Sequence, residues 1–254
     1  CRLASAASRA YLPAMEPAVS IRDLTVEFHA RHTTVRAVDE LSLDIQAGRV
    51  FGFLGPNGAG KTTVMHVLLG FIGATSGEAR VFGTDVRESI ARQRIGYLPE
   101  QPDTYRFLSG REMLIMTGRL FGLRGRKLQD RCRAVLAQTD MTDAADARIA
   151  VYSRGMLQRI CLAQALINDP DLVILDEPTG GLDPLGRMAV RELLAGLRER
   201  GKTVLFSSHE LSEVELVCDR VVILSKGRVV AQGEAAELAA QDESLERYFM
   251  RVVQ

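Results

Sequence analysis

Nine residues constrain this chain more than any others: Gly55-Pro56-Asn57-Gly58-Ala59-Gly60-Lys61-Thr62-Thr63. The spacing Gly55-x4-Gly60-Lys61-Thr62 has meaning only where a buried strand runs into it and a helix opens from it. The sequence predicts both. Val50-Phe51-Gly52-Phe53-Leu54 is a short apolar run, suited to a strand buried on both faces. From Lys61 to Phe71, residues Val64, Val67, Leu68 and Phe71 recur at helical spacing. A strand feeding a helix through a glycine-rich turn is the building unit of an α/β chain with a parallel sheet.

The chemistry follows from the same residues. Glycines at 55, 58 and 60 let main-chain N–H groups curl around phosphate oxygens, and the helix start adds the positive end of its dipole. Lys61 supplies a point charge to the β- and γ-phosphates of a nucleotide, and the Thr62 hydroxyl is a ligand for Mg²⁺. A second motif completes the site. Leu172-Val173-Ile174-Leu175 is a continuous apolar run that ends in Asp176-Glu177. A strand of this kind delivers its carboxylates to the edge of the sheet where phosphates bind. Asp176 would hold Mg²⁺ there, and Glu177 would polarise an attacking water.

The rest of the chain is consistent with such a fold. Val19, Ile21, Leu24, Val26 and Phe28 alternate, as do Leu41, Leu43 and Ile45, which reads as antiparallel half-buried strands. A strand is expected over Ala79–Phe82. From about Ser109 to Ala165 the spacing is helical, through Met113, Met116 and Leu120, then Cys132, Val135 and Leu136, then Met156, Ile160, Ala163 and Leu166. Asp183-Pro184 reads as an N-cap followed by proline at the first helical position. That helix runs to about Arg200 and stops at Gly201. Thr203–Phe206 is another buried strand, and Val221–Leu224 and Arg228–Ala231 flank a hairpin turn.

Bulk properties narrow the partners. The 254 residues carry 32 Lys+Arg and 32 Asp+Glu, so no strong pull toward nucleic acid is expected. Cys1, Cys132, Cys161 and Cys218 are scattered, with no C-x-x-C, which argues against a zinc site or a disulfide framework and fits a reducing compartment. Apolar stretches are interrupted well short of the roughly 18–20 residues needed to span a bilayer, so no membrane crossing is expected. The acid-free, Ala/Ser/Arg-rich start is expected to be an extension without structure, with Met15 opening the folded unit. The basic runs Arg124–Lys127 and Arg198–Lys202 are expected to be solvated faces and helix ends, and His66 is expected to be structural.

These motifs, in this order, resemble the nucleotide-binding domain of ABC transporters over about Val19 to Val230. Tyr152-Ser153-Arg154-Gly155-Met156, followed by Gln158-Arg159, stands where that family carries its signature Leu-Ser-Gly-Gly-Gln. Gly180-Gly181-Leu182-Asp183 stands at its D-loop, His209 at its switch histidine, and Gly96–Glu100 at its Q-loop. The resemblance implies a P-loop NTPase with a parallel RecA-like core sheet, an antiparallel N-terminal β-subdomain and an inserted α-helical subdomain. It implies that two cassettes close head to tail around two ATPs. Each ATP would lie between the phosphate loop (Gly55 to Thr63) of one copy and Ser153 and Gly155 of the other. His209 would touch the γ-phosphate, and Asp183 would lie across the interface.

Three departures matter. Arg154 replaces the first signature glycine and Met156 the terminal glutamine, and Glu100 takes the Q-loop glutamine position with Gln101 beside it. Either Glu100 or Gln101 could serve the Mg²⁺ end of the site. The family stacks an aromatic on adenine from the end of the first strand; Phe28 is best placed, with His29 and His32 as alternatives if Ala30–Thr34 is an inserted loop, or Phe28 is simply core. Such replacements resemble the ABC-2 type export branch. That implies an ATPase on the cytoplasmic face of the membrane, paired with a second cassette (the same or a related one) and a separately encoded permease. A soluble ATPase outside transport and a weakly hydrolysing regulatory cassette are the alternatives. The expected divisions are an extension over 1–17, the cassette over 18–232 with its helical subdomain at about 99–165, and a helical tail over 233–254.

Overall fold

The computed structural model describes residues 16–30, 33–241 and 244–253. Most of the expected extension, and His32, lie outside the described residues.

Two sheets organise the chain. The first is antiparallel, in the order β2-β1-β4-β5, formed by β1 (Val19–Ala30), β2 (Thr33–Ile45), β4 (Ser76–Val81) and β5 (Thr84–Asp85). The second is six-stranded, in the order β10-β9-β3-β8-β7-β6. It contains β3 (Val50–Leu54), β6 (Ile95–Leu98), β7 (Leu172–Asp176), β8 (Thr203–Ser207), β9 (Arg220–Ser225) and β10 (Arg228–Glu234). All of its pairings are parallel except β9 with β10.

The uninterrupted apolar runs have a simple cause. Successive side chains of a strand point to opposite faces, and each face of the six-stranded sheet has its own core. Val50, Val173, Leu175, Val204, Phe206, Val221 and Ile223 enter the core shared with the helices. Phe51, Phe53, Leu172, Ile174, Leu205, Val222 and Leu224 enter the core shared with the antiparallel sheet and α1 (Lys61–Leu68). Each fully buried Leu, Val or Phe adds roughly 1.5–3 kcal/mol of burial free energy. With both faces covered, the middles of β3, β7 and β8 are apolar throughout, and polar residues stand at strand ends such as Thr203, Asp176 and Ser207.

Helices α3 (Gly110–Leu120), α4 (Gly125–Gln138) and α5 (Arg154–Ala165) form the lobe between β6 and β7. Short α2 (Ser89–Arg92) precedes β6. Ser109 caps α3 through a reciprocal capping box with Glu112. After β7 and β8 come α6 (Pro184–Glu199) and α7 (Leu211–Val217), which pack into the same core as α3–α5. The chain ends in α8 (Ala235–Gln241) and α9 (Leu245–Val253), whose Leu245 and Tyr248 are buried against the helical core. β10 continues to Glu234, two residues past the expected end of the cassette. No helix among the described residues is long and apolar enough to cross a membrane.

The structure corrects several expectations. The helix expected to run to Phe71 stops at Leu68, and Phe71 is 60% exposed. Gly70 at φ +67° donates to Val67 O and Phe71 N–H donates to His66 O, the paired bonds of a Schellman stop. Leu120 is 82% exposed and Met116 only half-buried, because the buried stripe of α3 runs through Met113, Leu114, Thr117 and Gly118. The expected strand over Ala79–Phe82 begins earlier, at Ser76, and ends at Val81, where Phe82 turns with φ +45°. Ala30, Thr33 and Thr34 are strand rather than inserted loop, since β1 and β2 stay paired as far as Ala30 opposite Thr33. The run Arg198–Lys202 is not merely solvated: Arg198 pairs with Asp219, and Lys202 with Asp169 and Asp171. The hairpin turn expected at Ser225-Lys226-Gly227 is present, with Lys226 and Gly227 both at positive φ as a two-residue I′ turn requires.

Candidate functional site

Parallel register brings three strand ends together. Phe53 lies opposite Ser207, and Asp176 lies opposite Ser207 on the other side. Leu54 therefore releases the chain into the glycine-rich loop at the same sheet edge where β7 delivers Asp176 and β8 delivers Ser207. This is the edge where ligands bind in open α/β sheets.

The loop folds closely against the antiparallel sheet and the β9–β10 hairpin. A side chain at Gly60, which has φ +101°, would meet Ala37 O at 2.5 Å, so only glycine fits. Gly227 N–H donates to Ala59 O and Asp39 N–H to Gly227 O, both at 3.0 Å, pinning loop, hairpin and β2 together. Pro56, Asn57 and Gly58 are exposed at the loop's tip, and Thr63 is half-buried behind it on α1. Lys61 Nζ donates to Gly55 O at 2.6 Å and Pro56 O at 3.3 Å, so the ammonium lies within the loop it closes. Burial lowers the Lys61 pKa, while the carboxylates of Glu177, Asp176 and Glu100 oppose that shift. A cation is thus held in a partly dry loop, facing three acids.

The acids are held in turn. Asp176 is 4% exposed; it accepts from Thr62 Oγ1 at 3.1 Å and from the Ser207 hydroxyl. Ser207 Oγ also accepts the Glu177 N–H at 3.0 Å, fixing both carboxylate residues to the end of β8. Glu177 stands at φ +50°, an uncommon conformation for a residue with a side chain. Its Oε2 lies 2.8 Å from His209 Nδ1. An exposed histidine that reaches a half-buried carboxylate at a sheet edge is arranged for moving a proton or orienting a water.

Thr62 and Asp176 offer a hydroxyl and a carboxylate within one hydrogen bond of each other. No group of three or more His, Cys, Asp or Glu that could hold a metal occurs among the described residues. A hard cation that takes one or two protein oxygens and completes its shell with water and phosphate fits this donor set, which is the habit of Mg²⁺.

The remaining expected residues fall into separate groups. Phe28 is 47% exposed, so its reading as a core residue is overturned. It faces Val35 across the β1–β2 ladder, and Val35 is 59% exposed. Together they form an apolar platform two residues along β2 from Ala37, which touches the loop. His29 bonds Thr34 Oγ1 at 3.0 Å instead of the loop. Glu100 and Gln101 are both exposed after β6. Ser153 caps α5 by accepting the Met156 N–H at 3.2 Å, and Gly155 faces open space. Asp183 caps α6 through Gly186 N–H at 2.8 Å. Among the described residues, no hydrogen bond joins Ser153, Gly155 or Asp183 to the glycine-rich loop.

Sequence reasoning missed three residues here. Ser207 organises both acids, and only the register of β8 reveals it. Val35 completes the platform with Phe28. Arg187 donates to Leu182 O at 3.2 Å and pairs with Glu210, the neighbour of His209.

Beside the site, a groove of about 340 Å³ is lined by Phe71, Tyr97, Pro99, Thr117, Phe121 and Cys161, among others. Tyr97 meets Phe71 and His66 edge to face, with ring centroids 5.8 and 6.4 Å apart, and His66 and Phe71 are tilted against each other at 5.7 Å. Burial pushes the Tyr97 hydroxyl and the Cys161 thiol up to about 12, so both stay neutral near pH 7.

The family profile described as ABC transporter matches residues 38–180, more than half of the chain. An ABC transporter ATP-binding protein of Synechocystis sp. is 46% identical over 217 residues, 84% of this chain and 60% of the relative. Nod factor export ATP-binding protein I of Paraburkholderia xenovorans is 40% identical over 207 residues, 81% of this chain and 68% of that protein. The solved ATP-binding subunit of an ABC transporter superposes with a TM-score of 0.83 at 27% identity, covering 93% of this chain and 99% of that one. The chain thus spans about 60% of the length of the first relatives it matches.

Proposed function

The chain belongs to the ABC transporter family of ATP-binding proteins, and from that premise we propose that it hydrolyses Mg·ATP in a closed pair of cassettes and thereby drives a membrane permease as an exporter. The observation that carries this reading is the convergence at one sheet edge of Lys61 in its loop, Asp176 bonded to Thr62, and Glu177 bonded to His209.

Each group has a physical role. The loop amides and the start of α1 bind the β- and γ-phosphates, and Lys61 exchanges its carbonyl partners for phosphate oxygens. Thr62 and Asp176 would hold Mg²⁺, with Glu100 or Gln101 reaching it through water. Bound there, the ion neutralises charge on the phosphates. Glu177 orients and polarises the attacking water, while His209 holds the Glu177 carboxylate and reaches for the γ-phosphate. Phe28, with Val35, stacks on adenine. Intact Glu177 and His209 favour hydrolysis over a purely regulatory cassette.

Ser153, Gly155 and Asp183 make no hydrogen bond to the loop of their own chain among the described residues, which supports their use on the nucleotide of a second copy. The groove beside Tyr97, whose lining includes exposed Phe71 and Phe121, suits a helix of the permease. Such a partner would place this chain at the cytoplasmic membrane face. Export is supported by the relative named for Nod factor export.

Glu177→Gln tests the core of this reading. The variant should retain Mg·ATP, lose hydrolysis by at least ~100-fold, and elute as a stable dimer only when Mg·ATP is present. A variant that stays active and monomeric would overturn it.

A further inference from the structure

Three side chains donate to three alternate carbonyls in the stretch that leads from Glu177 to α6. Gln158 Nε2 reaches Pro178 O at 2.9 Å, Arg154 Nη2 reaches Gly180 O at 3.3 Å, and Arg187 Nε reaches Leu182 O at 3.2 Å. Gln158 and Arg154 both belong to α5, one turn apart. Gln158 is 8% exposed and forms the fixed part of this attachment; Arg154 is exposed and forms the movable part. The Arg154 guanidinium covers Gly181. A Cβ built on Gly181 would lie 2.2 Å from Cζ and 2.3–2.4 Å from the two terminal nitrogens. The planar group therefore occupies the space where any other residue would place a side chain.

This stretch connects directly to the site. Gly180 N–H donates to Glu177 O at 3.0 Å. At its far end Arg187 pairs with Glu210, whose neighbour His209 bonds Glu177. The contacts form a ring: Gly180–Gly181, Glu177, His209, Glu210, Arg187, Leu182. Arg154 ties the start of α5 to it at Gly180. A glycine, which the family carries at this position, has no side chain with which to do so.

We propose that Arg154 is a positioning residue that couples the two nucleotide sites of the closed pair, by tying the first turn of α5 to the segment that sets Glu177. The proposal rests on the reading above, in which Ser153 and Gly155 meet the nucleotide of the second copy while Glu177 serves the nucleotide of its own chain. Arrival of ATP at the second copy then draws on α5, and through Arg154 the displacement reaches Gly180 and the Glu177 main chain. Coupling of this kind acts through a contiguous set of contacts whose arrangement both sites bias.

The test is steady-state hydrolysis by the full chain as a function of ATP at fixed Mg²⁺. Wild type should be sigmoidal, with a Hill coefficient approaching about 2 for two coupled sites. Arg154→Ala should bring the coefficient close to about 1 and lower the maximal rate roughly tenfold. Calorimetric affinity for ADP should change less than about twofold, because the phosphate loop is untouched. Arg154→Lys should recover part of the sigmoidality, since an ammonium can still donate to Gly180 O. Three results would overturn the proposal. In Arg154→Ala the coefficient could stay unchanged while the rate and melting temperature fall together, marking a merely structural contact. It could stay unchanged while ATP, but not ADP, binds more weakly, marking direct contact with the γ-phosphate. Hyperbolic wild-type kinetics would instead remove the two-site premise itself, and the proposal with it.

Discussion

At the scale of single residues, the site is a set of charges held out of their usual environment by specific neighbours. Lys61 is partly desolvated and faces Glu177, Asp176 and Glu100. Its removal leaves three acids around a phosphate site with no opposing ammonium. Lys61→Ala should therefore lower ATP turnover by at least ~100-fold, and single-turnover assays with excess protein will separate lost binding from lost chemistry. Phe28 carries a different expectation. Being 47% exposed, it contributes little to the core, so Phe28→Ala should leave the melting temperature nearly unchanged. It should raise the Kd for ATP roughly tenfold through lost stacking while leaving inorganic triphosphate affinity alone. Equal weakening of both ligands would remove Phe28 from the base site. The phosphate-loop residues were legible because the motif fixes them by spacing. Ser207 was not, since a serine after a buried strand signals nothing until register sets it beside Asp176.

At the scale of elements, hydrophobic period gave the strands and helices, and capping chemistry gave several of their ends. Asp183-Pro184 starts α6 as the residue types require. The misread ends, at Phe71 and Phe82, were set by left-handed turns that periodicity does not register. The stripe of α3 was misjudged for a packing reason. A Cβ on Gly118 would meet Leu128 Cδ1 at 2.4 Å, so close approach of α4 selects the face through Gly118 and leaves Leu120 outside. Gly96 is an analogous contact between β6 and the end of α5, where a Cβ would come within 2.0 Å of Ala165 O. Backbone cannot yield as a flexible side chain does. Gly96→Ala should destabilise the fold by ~1–3 kcal/mol, read as a lower urea midpoint at unchanged m; full stability would mean that β6 shifts freely against α5.

At the scale of the whole molecule, two cores on opposite faces of one sheet brace the edge that carries Lys61, Asp176 and Glu177, while the segment entering the α3–α5 lobe presents a pair of aromatic side chains. Tyr105 and Phe107 are 58% and 70% exposed there. If that surface receives a permease helix, Phe107→Ser should reduce recovery of the membrane partner in pull-downs by roughly tenfold. Its folding stability should stay within the ~0.5 kcal/mol typical of exposed positions. Unchanged recovery would place the docking surface elsewhere. By itself the sequence determined the α/β class, the position of the phosphate loop and the identity of the acids at the end of β7, because those depend on period, spacing and residue chemistry along the chain. Only the tertiary structure decided that Ser207 braces both acids, that Phe28 stands beside Val35 in the open, and that Arg154 rests on Gly181. Those contacts join residues up to 31 positions apart, and local propensity carries no information about distance across a folded sheet.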